Sequence, residues 1–130
     1  MRVIAAAVVD SRGLLLVSKR AAPDVYYLPG GKPDDGEPPL DCLRRELTEE
    51  LGVGLESATP FAEVHAPAAL ERGVEMWMSV FLARLAGSPA PAAEIASLRF
   101  WPSDPGLRLA TAVRDHVIPA LQRSGRLARR

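Results

Sequence analysis

Two apolar runs separated by a polar turn open the chain. Residues 2–10 are rich in valine and alanine, and residues 14–19 are mostly apolar. Between them, Ser11, Arg12 and Gly13 form a turn signal. Continuous apolar runs of this length, bounded by turn residues, are typical of buried strands. The pattern therefore predicts a β-hairpin at the start of the fold.

A short strand and an irregular turn are expected next. A loop that carries Pro23 precedes a strand near residues 26–28. Residues 29–33 contain two prolines and two glycines, which predicts irregular backbone.

Residues 38–51 have the pattern of an amphipathic helix. Pro38 and Pro39 suit a first helical turn, where a missing N–H costs little, and Gly52 suits the position after the last turn. At about 100° per residue, the four leucines of this segment fall on one stripe, which predicts a buried face. These leucines are Leu40, Leu43, Leu47 and Leu51.

The second half of the chain alternates strands with loops and ends in a helix. Strands are expected at residues 60–65, 74–84 and 97–101, with loops at 66–73 and 88–93. A shared helical face predicts a C-terminal helix, which Pro119 should kink or shorten. Residues 126–130 are expected to form a frayed, solvated basic end. The residues of the helical face are Leu109, Val113, His116, Val117, Ala120 and Leu121.

Composition narrows the class of protein. The chain has 130 residues, which suits one domain over residues 1–130. Its formal net charge of zero argues against a nucleic-acid-binding protein, because duplex-binding domains usually carry a basic excess. No apolar run approaches a membrane span, and the apolar start lacks the features of a signal peptide. The single cysteine, Cys42, is expected to be a packing residue in a cytoplasmic protein.

Three carboxylates form a second stripe on the predicted helix. Glu46, Glu49 and Glu50 are related by steps of three and four residues and lie beside the leucine stripe. Like charges one turn apart cost roughly 0.2–0.5 kcal/mol per pair, and Arg45 can pair with Glu49 but cannot neutralise all three. Hard oxygen ligands on one face suit Mg²⁺ or Mn²⁺. A solvated acidic surface is the alternative interpretation of the helix taken alone.

The glycine turn before the helix favours a ligand site. Gly30 and Gly31 allow the backbone to approach a ligand closely, and Lys32 adds positive charge. The segment is not a P-loop, because no Ser or Thr follows Lys32 and the upstream glycine spacing is absent.

The combined pattern resembles the box of the Nudix hydrolase family. Gly31 is followed after five residues by Glu37, and seven residues later by Arg45-Glu46-Leu47-Thr48-Glu49-Glu50-Leu51-Gly52-Val53, without a departure from the box. The resemblance implies an α/β fold, an α/β/α sandwich with a mixed β-sheet. It also implies a hydrolase acting on phosphoric anhydride bonds, with Mg²⁺ as cofactor and Mn²⁺ as a substitute.

The resemblance also implies roles for individual residues. Glu46, Glu49 and Glu50 would be metal ligands, with the carbonyl of Gly30 completing the site. Glu46, Glu49 and Arg45 would form the catalytic group, in which Arg45 orients the glutamates and Glu37 supports them. Glu46 is ranked first as general base, with Glu75 and Glu94 as the candidates outside the box.

Substrate contacts are expected from residues around the box. Gly31, Lys32 and Arg20 could contact phosphates. Trp101 could stack a base because it precedes a loop, although aromatic residues in strands are usually core, as expected also for Tyr27 and Trp77. His65 and His116 are expected to be packed or hydrogen-bonded residues rather than catalytic ones.

The box does not identify the leaving group. Residues 19–23 lack the further arginine and glycine of the coenzyme A pattern, and the Ser-Gln-Pro-Trp pattern of NADH pyrophosphatases is absent. The short chain favours a MutT-like pyrophosphohydrolase acting on a nucleoside di- or triphosphate or a nucleoside diphosphate derivative. The alternatives are an ADP-ribose-type pyrophosphatase, suggested by Pro67, and a non-catalytic Nudix-like nucleotide sensor. A small nucleotide is the expected partner, and similar proteins make a homodimer an expectation by analogy.

Overall fold

The computed structural model describes residues 1–129, and Arg130 lies outside the described residues. Its helices are α1, Pro39–Leu51, and a C-terminal helix over residues 111–123, which contains a π-helical turn, Val113–Val117, followed by α2, Ile118–Arg123. The strands are β1 (Arg2–Ala7), β2 (Val9–Asp10), β3 (Gly13–Lys19), β4 (Ala22–Tyr27), β5 (Gly30–Gly31), β6 (Leu55–Pro67), β7 (Glu75–Leu85), β8 (Ile95–Pro102) and β9 (Arg108–Leu109).

The strands form two sheets. One has the order β5-β1-β7-β6, in which β1 and β7 run parallel and the other pairs are antiparallel. In the other sheet, β3 pairs antiparallel with β2, β4 and β8, and β9 runs parallel to β4. The predicted mixed strand directions are therefore present, divided between two sheets.

Helices cover both sides of these sheets. Ile4 and Leu15 belong to the apolar cluster that contains the buried face of α1. The adjacent residues Ala5 and Leu14 belong to the cluster that contains the C-terminal helix. Because β1 and β3 are buried on both faces, their sequences are continuous apolar runs and do not alternate between apolar and polar residues. The predicted α/β/α sandwich is confirmed.

The predicted N-terminal hairpin is smaller than expected. The run breaks at Val8, so that only Val9–Asp10 pairs with β3, whereas β1 joins the other sheet beside β7. The turn signal is local, but the parallel pairing with β7 depends on residues far along the chain. Gly30–Gly31 also departs from the expected irregular backbone, because it pairs with β1. Pro23 lies inside β4, next to a register shift in the β3–β4 ladder that tolerates a residue without an amide proton.

Pro119 does not end the C-terminal helix. The amide of Ile118 bonds to the carbonyl of Val113, so the helix widens by one residue before the proline, which then lies at the start of α2. The extra residue rotates the helix face. His116 is therefore exposed and does not lie on the apolar face of the helix, where the sequence predicts it. Leu109 lies in β9, where it pairs with Tyr26, rather than in the helix.

Two further expectations concern the chain end and the cysteine. Leu127 is buried and the amide of Arg126 donates a 2.9 Å hydrogen bond to the carbonyl of Leu121, so the chain packs back against the helix instead of fraying there. Cys42 is fully buried, and burial raises the pKa of its thiol to about 11, which confirms a packing role. Within residues 1–129, no helix combines the length and apolar character needed to cross a membrane.

Candidate active site

Helix α1 begins and ends as its sequence predicts. Pro39 occupies its first turn, and Gly52 follows it in the left-handed conformation, with φ of 65° and an amide bonded to the carbonyl of Thr48. Leu43, Leu47 and Leu51 are buried, as the stripe predicts. The helix therefore holds its neighbouring carboxylate stripe close to the backbone of β1 and β5.

The three glutamates of that stripe have different environments. Glu50 is only 2% exposed, and the side chain of Glu46 is 13% exposed. The side chain of Glu49 is 54% exposed and lies 3.5 Å from Arg45. Helical spacing predicted one cluster of equivalent carboxylates. The structure instead grades them, with Glu50 buried, Glu46 half-buried and Glu49 exposed, because Glu50 and Glu46 contact Gly30 and Gly31 of β5.

The two glycines of β5 let the backbone reach Glu46 and Glu50. The amide of Gly30 donates a 2.9 Å hydrogen bond to Oε1 of Glu50. Gly30 has a φ of 150°, and a side chain there would collide with the carbonyl of Ile4, so this position requires glycine. A side chain at Gly31 would occupy the place of the Glu46 carboxylate, which would then have to move.

Arg45 joins the segment before the helix to the carboxylate stripe. Its guanidinium makes two bonds to Glu37, of 3.0 and 2.9 Å, and one of 3.0 Å to Glu46. It also donates to the carbonyl of Lys32 at 3.1 Å. The bond from Arg45 lowers the pKa of Glu37 to about 2, and the same bond raises the pKa of Arg45. This network holds Glu46 and the glycine turn in a fixed relation.

Burial dominates the electrostatics of Glu50. It raises the pKa of this carboxyl to about 8, with further increases from the charges of Glu46 and Glu94, against the lowering effect of the Gly30 amide and of Lys19. Burial also raises the pKa of Glu46, against the lowering effect of Arg45. Throughout the described chain, no Lys, Arg or His side chain forms an ion pair with Glu50. Two neighbouring carboxylates, one of them buried, are stabilised by a cation.

The donor set is suited to a hard divalent cation. Glu46 and Glu50 supply carboxylate oxygens, and Gly30 brings backbone polar groups beside them. No three Asp, Glu, His or Cys side chains within residues 1–129 converge as a ready-made cation site. A cation would therefore draw on backbone oxygen and on oxygens of the substrate in addition to the pair, which is the usual way Mg²⁺ is held at phosphates.

Glu46 lines a cleft of about 380 Å³, together with Gly30, whose amide bonds to Glu50. Polar lining residues include Lys19, Tyr27 and Glu94. Apolar lining residues come from β1, β7 and the start of the C-terminal helix, and they are Val3, Met76, Met78, Ala110 and Val113. The cleft thus offers both polar groups and an apolar surface to a ligand.

Not all of the predicted substrate residues lie at this cleft. Gly31 and Lys32 line it, and the ammonium of Lys32 lies 3.5 Å from Glu71 across the opening. Arg20 does not line it: this residue occupies the β3–β4 turn, where its amide bonds to the carbonyl of Glu94. Trp101 does not line it either: this half-buried residue of β8 packs against the core cluster that contains the C-terminal helix.

The two outside candidates for a base are in different places. Glu94 lines the cleft and its charge acts on both Glu46 and Glu50. Glu75 lies outside, 3.4 Å from His65, whose ring stacks on Trp77 at a centroid distance of 4.3 Å. His65 therefore differs from the expected packed histidine, because its side chain is 52% exposed and stacks on Trp77, which is itself exposed rather than core.

Tyr27 belongs to the cleft, although its position in a strand predicts a core aromatic. It lines the cleft, and its hydroxyl is buried without a hydrogen-bond partner among the described residues. The available signal was strand alternation. Tyr26 and Tyr27 are adjacent in β4 and so must face opposite sides, and Tyr26 is the one whose hydroxyl bonds to Ser97.

Comparisons with known proteins agree with this geometry. The NUDIX domain model matches residues 1–121. The MutT Nudix hydrolase of Burkholderia pseudomallei is 32% identical, with a TM-score of 0.76 over 93% of this chain and 95% of that one. A protein of Chromobacterium violaceum assigned to the Nudix hydrolase family is 28% identical, with a TM-score of 0.73 over 96% of this chain and 76% of that one.

A curated relative matches over a shorter stretch. An RNA pyrophosphohydrolase from a Psychrobacter species is 43% identical over 44 residues, which are 34% of this chain and 25% of that protein. The match thus spans about a quarter of that relative's length. The domain match over nearly the whole chain, the full-length structural similarity and the intact box lead to one conclusion: the chain belongs to the Nudix hydrolase family.

Proposed function

We propose that this chain is a divalent-metal-dependent pyrophosphohydrolase of the MutT-like kind. It would cleave a diphosphate linkage in a nucleoside di- or triphosphate or in a nucleoside diphosphate derivative. The observation that carries the proposal is the pair of neighbouring carboxylates beside a cleft that has both polar and apolar lining residues: Glu46 lines the cleft, and Glu50 is buried without an ion-pair partner within residues 1–129. Family membership supports it, because Nudix hydrolases generally use divalent metals and act on small nucleotides.

Glu46, Glu50 and the carbonyl of Gly30 would hold Mg²⁺, or Mn²⁺ in its place. Glu49 would contribute from the edge of the site, since its side chain is largely exposed. When bound, the cation would withdraw charge from the diphosphate oxygens and lower the pKa of a nearby water.

The remaining chemistry belongs to side chains of the chain itself. Arg45 orients Glu46 through its 3.0 Å bond and is itself fixed by Glu37. Glu46 would accept the proton of the attacking water, and Glu94 is the other candidate for that role because it lines the same cleft. Gly31 and Lys32 would contact the phosphates, and the apolar wall formed by Met76 and Met78 would contact the nucleoside.

A substrate panel with Mg²⁺, Mn²⁺ or chelator tests the proposal. The panel should contain the nucleoside triphosphates, oxidised nucleotides, ADP-ribose, dinucleoside polyphosphates and a 5′-triphosphorylated oligonucleotide, the last because of the RNA pyrophosphohydrolase relative. We expect metal-dependent release of phosphate or pyrophosphate from at least one small nucleotide. Tight nucleotide binding with no hydrolysis in either metal would contradict the enzyme and favour a nucleotide sensor.

A further inference from the structure

The hydroxyl of Tyr27 is the buried polar group that the proposed chemistry does not use. Tyr27 ends β4, and its ring packs against both core clusters. Its oxygen is inaccessible to solvent and has no hydrogen-bond partner in the described part of the chain. A buried hydroxyl without a partner costs folding free energy, so an unpaired one at a functional cleft calls for a reason.

This hydroxyl is a donor in a region of acceptors. Burial raises the pKa of Tyr27, and the charges of Glu50 and Glu94 raise it further, so the phenol keeps its proton. Tyr27, Glu46 and Glu94 line the same cleft. A protonated phenol beside carboxylates can only act as a donor toward them.

The glutamates around Tyr27 are not equally well held. Glu46 accepts a 3.0 Å bond from Arg45, and Glu50 accepts a 2.9 Å bond from the Gly30 amide. Glu94 has a 3.6 Å contact with Lys19, which is too long for a hydrogen bond, and its side chain is 59% exposed. The residue with the unpaired donor and the residue with the loosely held acceptor therefore line the same cleft, and the charge of Glu94 acts on Tyr27.

We propose that Tyr27 is a positioning residue that donates its phenolic proton to the carboxylate of Glu94 and so turns that carboxylate from Lys19 toward the Glu46–Glu50 pair. The inference rests on the proposed function, because it concerns a residue of the same site. It extends that function by assigning an orienting partner to the one glutamate of the group that neither Arg45 nor the glycine turn reaches.

The chain offers a matched control in the adjacent residue. Tyr26 belongs to the same strand, but its hydroxyl is 2.9 Å from Ser97 Oγ, and it does not line the cleft. Tyr27→Phe and Tyr26→Phe each remove one oxygen from a buried ring. Only the first should affect an interaction with Glu94.

The test is a double-mutant cycle on the full chain with Glu94→Gln, followed by two measurements. With the best substrate and Mg²⁺, we expect Tyr27→Phe to lower kcat about 10-fold with KM changed less than about 2-fold, and to have no further effect in the Glu94→Gln background. Tyr26→Phe should leave kcat unchanged in both backgrounds. An unchanged kcat in Tyr27→Phe, or an equal loss in both backgrounds, would overturn the proposal.

Urea unfolding of the same variants gives a readout that does not require activity. Tyr27→Phe should shift the unfolding midpoint more in the parent than in Glu94→Gln, whereas Tyr26→Phe should shift it equally in both. Equal shifts for Tyr27→Phe would show that the pair does not interact and would overturn the inference. Failure of the parent protein to hydrolyse any panel substrate would instead contradict the proposed function, and the unfolding cycle would still decide the pairing.

Discussion

The amide of Gly30 donates a 2.9 Å hydrogen bond to Oε1 of Glu50, a residue 20 positions further along the chain. This contact joins the glycine turn to the last turn of α1. It occupies one oxygen of a carboxylate that is almost completely buried, while no residue of the described chain bonds to the other oxygen, Oε2. The relationship makes Glu50 the most constrained of the candidate ligands.

Replacement of Glu50 by glutamine should abolish metal-dependent hydrolysis. The amide keeps the shape and one acceptor oxygen for the Gly30 bond but removes the charge that a cation requires, so we expect a loss of kcat of about 100-fold or more. The fold should remain intact in circular dichroism and thermal unfolding. Glu56→Gln is the matched control, because Glu56 is exposed and lies only near Arg84 at 3.9 Å. Near-normal turnover in Glu50→Gln would refute the assignment of this ligand.

The stability of the metal-free protein should fall as pH rises from about 4.5 to about 8. Burial raises the pKa of Glu50 in the folded state from 4.5 to about 8, so the folded protein binds this proton more tightly than the unfolded chain does. The resulting stabilisation is complete below pH 4.5 and is lost as pH passes through 8. Each pKa unit corresponds to about 1.4 kcal/mol, so the loss should be on the order of a few kcal/mol. Urea unfolding in chelator at several pH values measures it.

Two controls separate Glu50 from other titrating groups in that experiment. Glu50→Gln should flatten the pH dependence, because the amide does not titrate. Addition of Mg²⁺ at pH 8 should restore stability in the parent protein but not in Glu50→Gln, since a ligand that binds only the folded state stabilises it. A pH dependence that is identical in both proteins would contradict the prediction.

Arg45→Lys should reduce activity by about 10- to 100-fold, the range found when groups that orient metal ligands are changed. Lysine keeps the positive charge but cannot reproduce the fork that bonds Glu37 twice and Glu46 once. Steady-state kinetics at varied Mg²⁺ concentration measure the effect, which should include a weaker apparent affinity for Mg²⁺. Arg44→Lys is the control, because Arg44 is an exposed neighbour that contacts only Asp41 at 3.5 Å. Equal effects at both positions would argue against the orienting role.

Gly31→Ala should lower activity about 10-fold or more with a smaller effect on expression and folding. The added methyl group would occupy the position of the Glu46 carboxylate and push it from the Arg45 bond. Gly54→Ala serves as the control, since a side chain there would meet only the methyl group of Ala86 at an ordinary contact distance of 3.7 Å. Activity assays and melting temperatures of both variants make the comparison. Full activity in Gly31→Ala would show that Glu46 does not need its present position.

Glu94→Gln and Glu75→Gln should differ in kcat. Glu94 lines the same cleft as Glu46, whereas Glu75 is outside it and lies 3.4 Å from His65. We expect a loss of about 10-fold or more for Glu94→Gln if it shares the proton-accepting or positioning work, and no change for Glu75→Gln. Single-turnover kinetics with saturating substrate distinguish the chemical step from release. A loss of kcat in Glu75→Gln alone would assign the role to Glu75 instead of Glu94.

Most of helix α1 could be predicted because its determinants are local. The prolines of its first turn, the leucine stripe and the glycine after Leu51 act within a few residues of one another. The N-terminal hairpin was mostly wrong for the opposite reason. Whether β1 pairs with β3 or with β7 depends on which surfaces the helices cover, and a turn signal carries no such information.

The chemical groups available at the site could be read from local spacing: the carboxylates of Glu46, Glu49 and Glu50, the guanidinium of Arg45 and the glycines that precede them. Periodicity within one helix is sufficient to bring the four side chains to one side. The burial of Glu50, the exposure of Glu49 and the presence of Glu94 and Tyr27 at the cleft follow only from the tertiary structure. Burial and the pKa shifts that it causes arise from contacts between distant segments, which local spacing does not encode.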